Sequence, residues 1–449
     1  MSISAFDSTI YRDLFTDRDV AKLFTDTAEI RAMMIVEGAL AKAQGALGII
    51  PETAAKAIHR ASLELQIDPS ALAQETGQNG VPVPALVAAF RKAMEAPEHA
   101  SYLHWGATSQ DIIDTALMLR LRQAVALIEA RLDDALDGLG RLAKDHAETP
   151  MAARTYGQVA APSSFGALVA SWGRPLLRHK HKLARLSEGF FTLSLSGAAG
   201  TSAVWGPQTP SLRASLAQGL GLRDPQHSWH AERDEMAEFA AILSGLLGSL
   251  GKIGSDLIIL TRSEVAELRL PAAGGSSTMP QKQNPVAPSA LVALARHGQA
   301  MAHVMQGAVL HAEARDGAAW FSEWLSLPPL VMAAAKASAI SADLAQGIAP
   351  EPAAMAARLQ DPLGLIRAEE LSFALAAHMP RPQAQAAIKA LCALAQETGR
   401  NLSDLVAENH PEISDQAQAS ITSEIGQAGI EARQFSDEVT SALGGVKDT

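Results

Sequence analysis

The feature that most narrows the fold is an unbroken apolar seam between Arg233 and about Glu267. Met236, Phe239, Leu243, Leu246, Leu250, Ile253, Leu257 and Leu260 lie alternately three and four residues apart. That spacing holds one stripe on the same side of an α-helix over many turns, as in packed helical bundles. Gly245, Gly248, Gly251 and Gly254, with Ser244, Ser249 and Ser255, occupy the other faces. Each helical glycine costs about 1 kcal/mol relative to alanine, so four of them need close packing on several sides as an offset. Small residues permit such an approach. The segment is therefore predicted to be a helix buried in a bundle, with a subunit boundary as one place for it.

A second long helix is predicted from Asp114 to His146, on the apolar recurrence Leu117, Leu121, Val125, Ile128, Leu132, Leu136 and Leu139, stopped before Pro150. Glu29 to Leu47 reads as a shorter helix ended by Gly48 and Pro51. Thr76 to Pro84 (TGQNGVPVP) reads as a loop. Hydrophobic residues make up 48% of the chain but aromatics only 4%, so the core must be Ala, Leu, Val and Ile. Few runs are β-branched, and the fold class is all-α. The predicted organisation is an N-terminal helical domain over 1–104, a central long-helix domain over 105–350 and a smaller helical domain over 351–449. Within the last, Pro350, Pro352 and Pro362 punctuate the chain and helices are expected at roughly 365–378, 383–398 and 415–445.

A net charge of −11 disfavours nucleic acid and anionic membranes as partners. It also means that an anionic substrate requires cations concentrated at one site. Cys392 is the single cysteine, which excludes an intrachain disulfide framework and a Cys-rich metal site and fits a reducing cytoplasm. The N-terminus is acidic where a signal peptide is basic. The most apolar stretch, Phe239 to Leu260, contains Lys252 and Asp256, so no membrane span is expected.

Three polar, glycine-bearing stretches interrupt the helices. His104-Trp105-Gly106-Ala107-Thr108-Ser109-Gln110-Asp111 precedes the 114–146 helix. Its hydroxyls serve either as N-caps or as part of a carboxylate-binding helix terminus. Arg154-Thr155-Tyr156-Gly157-Gln158, expected on a loop, gathers a cation, a hydroxyl, a phenol and an amide, a set also common on solvated loops. Pro271 to Pro285 (PAAGGSSTMPQKQNP) is a long loop between strong helices. Ser276 has no histidine beside it, so a hydrolytic triad is not indicated; near Lys282 it is a candidate proton carrier. His227 with His230, and His179 with His181, lack the flanking carboxylates of a metal site. No phosphate-binding glycine motif is present, so no metal and no nucleotide cofactor is expected.

Together these stretches resemble the three signature regions of the fumarase/aspartase superfamily, whose GSSxMPxKxN loop is complete here from Gly275 to Asn284. The resemblance covers nearly the whole chain. It implies a homotetramer around a bundle of twenty long helices, each active site drawing on three subunits. Within the superfamily the chain is most similar to the bacterial 3-carboxy-cis,cis-muconate cycloisomerase family, through HWGATSQDIIDTA, TPMAARTYGQ, SWHAERD and EARDGAAWFSEW. The lyases usually carry His after the Arg-Thr pair, where this chain has Tyr156, and Glu after the Asn-Pro, where it reads Val286-Ala287-Pro288-Ser289. Gln385 stands where relatives often have His. The resemblance implies a tricarboxylate substrate and assigns Ser276 to proton transfer, with Lys282 and Asn284 stabilising an enolate-like intermediate. It places Arg154, Arg233 and Arg315 against carboxylates and His104, Thr108, Ser109, Gln110, Thr155, Tyr156 and Gln158 around the substrate. His146, Ser277 and Met279 are further candidates. The alternatives are a lyase of the adenylosuccinate lyase kind and a catalytically silent helical assembly protein.

Overall fold

The computed structural model describes residues 4–272, 274, 275, 278, 279, 282–419 and 425–444. Among the described residues helices dominate, and six of them exceed twenty residues. These are α1 (Asp26–Ala46), α2 (Ser109–Asp145), α3 (Phe165–Ser187), α4 (Asp234–Leu260), α5 (Val286–Gly307) and α6 (Gly317–Gly347). Among the described residues, strands are confined to two antiparallel pairs. In one, β1 (Pro150–Thr155) meets β2 (Gln158–Ser164); in the other, β3 (Leu268–Arg269) meets β4 (Ala349–Pro350).

The apolar seam folds as expected. All eight of its residues are buried along α4, from Met236 to Leu260. Each such side chain contributes about 1.5–3 kcal/mol relative to exposure, which outweighs the glycine cost. Gly245, Gly248 and Gly251 have close side-chain neighbours, as inferred, and Gly298 of α5 adds a reciprocal contact. A Cβ on Gly251 would stand 2.6 Å from Ala295 Cβ of α5, and one on Gly298 would stand 2.2 Å from Leu247 of α4. On another side Gly245 faces the ring of His179 on α3, with 2.9 Å available to a Cβ. Burial pushes the His179 pKa down to about 4, so that ring packs neutral.

By contact density the chain divides into two units. One comprises Met1–Leu132, Arg178–Gly251 and Ala290–Ser341. In it α1 packs on the helix Glu52–Glu64, and the core includes Phe90, Leu121, Phe239, Leu246 and Leu330. The other comprises Asp133–Leu177, Lys252–Ser289 and Ala342–Thr449. It holds the β1–β2 pair and, at its C-terminal end, a separate apolar cluster from Leu371 to Ala417 on helices Ala368–Ala376, Arg381–Thr398, Leu402–Asn409 and Ser414–Gln418.

Four local expectations change. The second long helix begins at Ser109, so Ser109 and Gln110 belong to its first turn rather than to a preceding loop. Of the stretch 76–84, only 80–82 lies outside helices: one helix runs Ala73–Asn79 and another starts at Val83. Gly80 ends the first in the left-handed conformation and Pro82 precedes the second, so these residues punctuate two helices instead of a loop. Arg154–Gln158 lies on a hairpin, with Tyr156 and Gly157 at φ 50° and 76° as its two turn residues. Positive φ at both central positions suits the twist of paired strands, and glycine supplies one of them without strain. Finally, 415–445 is no single helix: Ser414–Gln418 stops at extended Ala419 and Ala428–Gly444 follows.

Candidate active site

The first polar stretch organises around Asp111, which is fully buried in the first turn of α2. Its carboxylate accepts the Thr108 N–H at 3.0 Å, which is half of a capping box. It also accepts the Ser196 and Gly197 N–H groups at 2.8 and 2.9 Å and His230 Nε2 at 2.9 Å. A carboxylate with four donors needs no further counter-charge, and it fixes the loop 196–202 against the start of α2. Gly106, at φ 80°, lies under Trp205, whose Nε1 would be 2.7 Å from an added Cβ. Here only glycine fits. Thr108 and Ser109 are half-buried beside these groups.

Gln110 is fully buried and committed within the chain. Its amide donates to Asp114 and to the His230 carbonyl, and its oxygen accepts Arg315 Nε at 2.7 Å. The expectation that Gln110 meets the substrate therefore changes: it orients Arg315 from behind. Arg315 donates also to the Ala198 carbonyl at 3.2 Å, and no carboxylate lies within ion-pair reach of it among the described residues.

Arg233 is likewise corrected. It is 1% exposed and holds two carboxylates, donating to Asp114 at 2.8 Å and to Glu323 at 2.8 Å, with Trp229 stacked at 4.7 Å. Burial disfavours the Arg233 cation, but Asp114 and Glu323 more than offset this and raise its pKa. Burial raises Glu323, partly opposed by Arg233. A guanidinium so enclosed holds the fold and is not available to an anionic ligand. Trp320 Nε1 completes the cluster on Asp114 at 3.3 Å.

His104 has a left-handed backbone, φ 62°, and its Nδ1 sits 2.6 Å from Glu37 of α1. Burial opposes a positive ring, yet the Glu37 carboxylate prevails and His104 is raised above its ordinary pKa.

The second unit holds the rest. Arg154 donates to Glu267 at 2.8 Å; Glu267 is fully buried, so this cation too is neutralised within the chain. Beneath Arg154 lies a cavity of about 550 Å³, lined also by Met151, Ser164, Lys252, Asp256 and Arg262. Thr155, Tyr156 and Gln158 stand exposed on the hairpin, Tyr156 completely. His146 ends α2, its Nδ1 3.0 Å from Thr149 Oγ1 and its ring edge-on to Phe165, and burial lowers its pKa. The structure thus gives His146 a local structural setting.

Of the glycine-rich loop, Ser276 and Ser277 lie outside the described residues. The neck is closed by a two-way backbone pairing of Gly274 with Asn284, at 3.0 and 2.9 Å. Lys282, Asn284 and Met279 line a groove of about 870 Å³ together with Thr261, Arg262, Arg269 and Glu351. Among the described residues no cluster of His, Cys, Asp or Glu has the arrangement of a metal site. His230 is taken by Asp111 and His179 by Ser249 at 3.0 Å.

Sequence reasoning missed Glu37 and Glu267, and it gave no role to Asp114, His230 and Glu323 although they stand in the quoted stretches. Their partners lie 67 to 119 residues away along the chain, so no local spacing announces them.

The comparisons with known proteins agree on the family. The lyase family profile matches residues 7–298. A 3-carboxy-cis,cis-muconate cycloisomerase of Bradyrhizobium diazoefficiens is 38% identical over 85% of this chain and 86% of its own. The crystal structure of the 3-carboxy-cis,cis-muconate lactonizing enzyme of Pseudomonas putida superposes with a TM-score of 0.91 at 31% identity, covering 97% of this chain and all of the other. A fumarate lyase of a Mesorhizobium species superposes at 0.86 with 33% identity over 96% of this chain and 98% of its own.

Proposed function

The chain belongs to the fumarase/aspartase superfamily of lyases, and on that premise we propose that it is a cycloisomerase converting 3-carboxy-cis,cis-muconate to a carboxymuconolactone. The observation carrying this reading is Tyr156, exposed at the turn of the hairpin where the lyases usually place a histidine. A lactonisation tolerates that change. One carboxylate of the substrate adds across the substrate's own double bond, forming a C–O bond. The electron pair moves to the neighbouring carbon and its carboxylate, and one proton is then added to that carbon. No group leaves, so none has to be protonated. Protocatechuate breakdown is the setting that such a substrate implies.

The demanding species is the enolate-like aci-carboxylate, which needs cations and hydrogen-bond donors held in place before the charge develops. In this reading Lys282 and Asn284 face it and Ser276 delivers the proton. Arg315, aimed by Gln110, takes one of the other carboxylates, at the start of α2 near Thr108 and Ser109. Thr155, Tyr156 and Gln158 shape the pocket from the hairpin. No metal or organic cofactor enters the scheme. The enzyme works as a homotetramer in the cytoplasm, with residues of several subunits at each site. In support, less than half of the most apolar stretch of α4 is buried within one chain, although α4 is long and apolar enough to cross a membrane. Helices of further copies would cover it.

Loss of the conjugated diene's ultraviolet absorbance on incubation with 3-carboxy-cis,cis-muconate tests the reaction. Turnover at enzymatic rates is expected. Absence of turnover there, with cleavage of adenylosuccinate or a succino-substituted amine or thiol instead, would sink the cycloisomerase and favour a lyase. The fumarate lyase likeness keeps that second reading in view.

A further inference from the structure

A tricarboxylate carries three negative charges, and the chain has fewer free cations for them than its arginines suggest. Arg233 is enclosed by Asp114 and Glu323, and Arg154 is held by Glu267. Arg315 and Lys282 remain for the reading above. His104, in the same stretch as Thr108 and Ser109, is a further candidate for a positive group.

We propose that Glu37 holds His104 as an imidazolium and makes it a third cation for the anionic substrate, so that Glu37 is a positioning residue of the site. Glu37 lies on α1, far from every signature stretch, and its side chain is 1% exposed. One carboxylate oxygen meets His104 Nδ1 at 2.6 Å; the other has no partner. A buried carboxylate without a counter-charge is costly, several kcal/mol in the absence of compensation. No lysine or arginine pairs with Glu37 among the described residues, so the His104 ring is its counter-charge. With Nδ1 engaged, Nε2 is the nitrogen left to meet a ligand. The backbone at His104 is left-handed, an uncommon conformation for a non-glycine residue, and the turn that imposes it carries the ring to Glu37.

The charges around the ring decide its state. Glu37 on α1 and Asp111 on α2 favour the cation, while Arg91 on the helix Val83–Ala93 and burial oppose it, and the sum is a raised pKa. The sign follows directly. The cation is fully present below the ordinary value near 6.5 and is lost only as pH rises through the raised value. Tricarboxylate affinity should therefore hold below the ordinary value near 6.5 and fall only as pH rises through the raised one.

The inference rests on the tricarboxylate reading, and its test separates the two. Deuterium exchange at the imidazole C2–H, followed by mass spectrometry against pH, reports the His104 titration midpoint with no ligand present. Calorimetric binding of propane-1,2,3-tricarboxylate, which has no double bond to react, reports the contact. Glu37→Gln keeps an acceptor for Nδ1 but removes the charge. The His104 midpoint should fall, and affinity between the variant and wild-type midpoints should drop about tenfold, since a charge-assisted hydrogen bond is lost. His104→Gln should show the same affinity and a flat pH dependence, and it serves if Glu37→Gln folds poorly. An unchanged midpoint in Glu37→Gln overturns the proposal, whatever the substrate. A lowered midpoint with unchanged affinity in both variants overturns the ligand contact. Failure of the diene assay in the wild-type protein would instead refute the reaction, leaving the exchange result to judge the pair.

Discussion

Arg233 shows how far a residue's setting can depart from its sequence neighbourhood. In the sequence it stands beside Asp234 in a polar stretch; in the structure it is almost wholly enclosed and neutralises two buried carboxylates at once. Removing one partner of such a cluster leaves the others charged and dry, which costs about 3–5 kcal/mol. Arg233→Met should therefore lower the unfolding free energy by that amount, read from a lower urea midpoint, and turnover should fall because less protein is folded. Arg233→Lys should recover only part of the loss, since an ammonium cannot serve Asp114 and Glu323 in parallel. An unfolding free energy within about 0.5 kcal/mol of wild type in Arg233→Met would mean that water reaches the cluster and that its carboxylates are solvated. Gln110 belongs to the same network, which links Arg233 through Asp114 to Arg315. The one arginine of this group without a carboxylate partner is thus oriented by the one that has two.

Among the elements, α4 is where sequence and structure agree most closely. Its seam is periodic, and a period is a local property that any stretch of chain carries by itself. Its glycines signalled close contact for the same reason. Gly251 against Ala295, and Gly298 against Leu247, interlock α4 with α5. Gly251→Val should overpack that contact and cost about 1–3 kcal/mol beyond its small change in helix propensity, measurable as a lowered urea midpoint. A neutral or stabilising result would show that the helices can part freely there. The loops were legible in kind but not in form. Gly157 marked a turn, yet nothing in Arg154–Gln158 alone distinguishes a loop from a hairpin, because the partner strand is defined by pairing across the turn. Prolines and glycines at 76–84 were read as one break when they end one helix and start the next. The site divides along the same line. Signature residues were found by pattern, whereas Glu37 and Glu267, which hold His104 and Arg154, touch them only through the fold.

At the scale of the whole molecule, the candidate residues are shared between two compact units. His104, Thr108, Ser109, Gln110, Arg233 and Arg315 belong to one; His146, Arg154, Thr155, Tyr156, Gln158, Lys282 and Asn284 belong to the other. In the proposed tetramer, whose sites would each draw on several chains, a defect in one stretch need not disable every site. Ser276→Ala and Arg315→Ala should each abolish most turnover while leaving four chains together by sedimentation. Unfolded, mixed and refolded in equal amounts, the two inactive proteins should regain about a quarter of wild-type turnover, the chance that independently drawn chains supply both intact residues to one site. The regained activity should follow the mixing ratio and vanish when either variant is in large excess. If the mixture stays inactive although mixed tetramers form, Ser276 and Arg315 act from the same chain. A site assembled across subunits would then fail for this pair, even with the reaction itself intact.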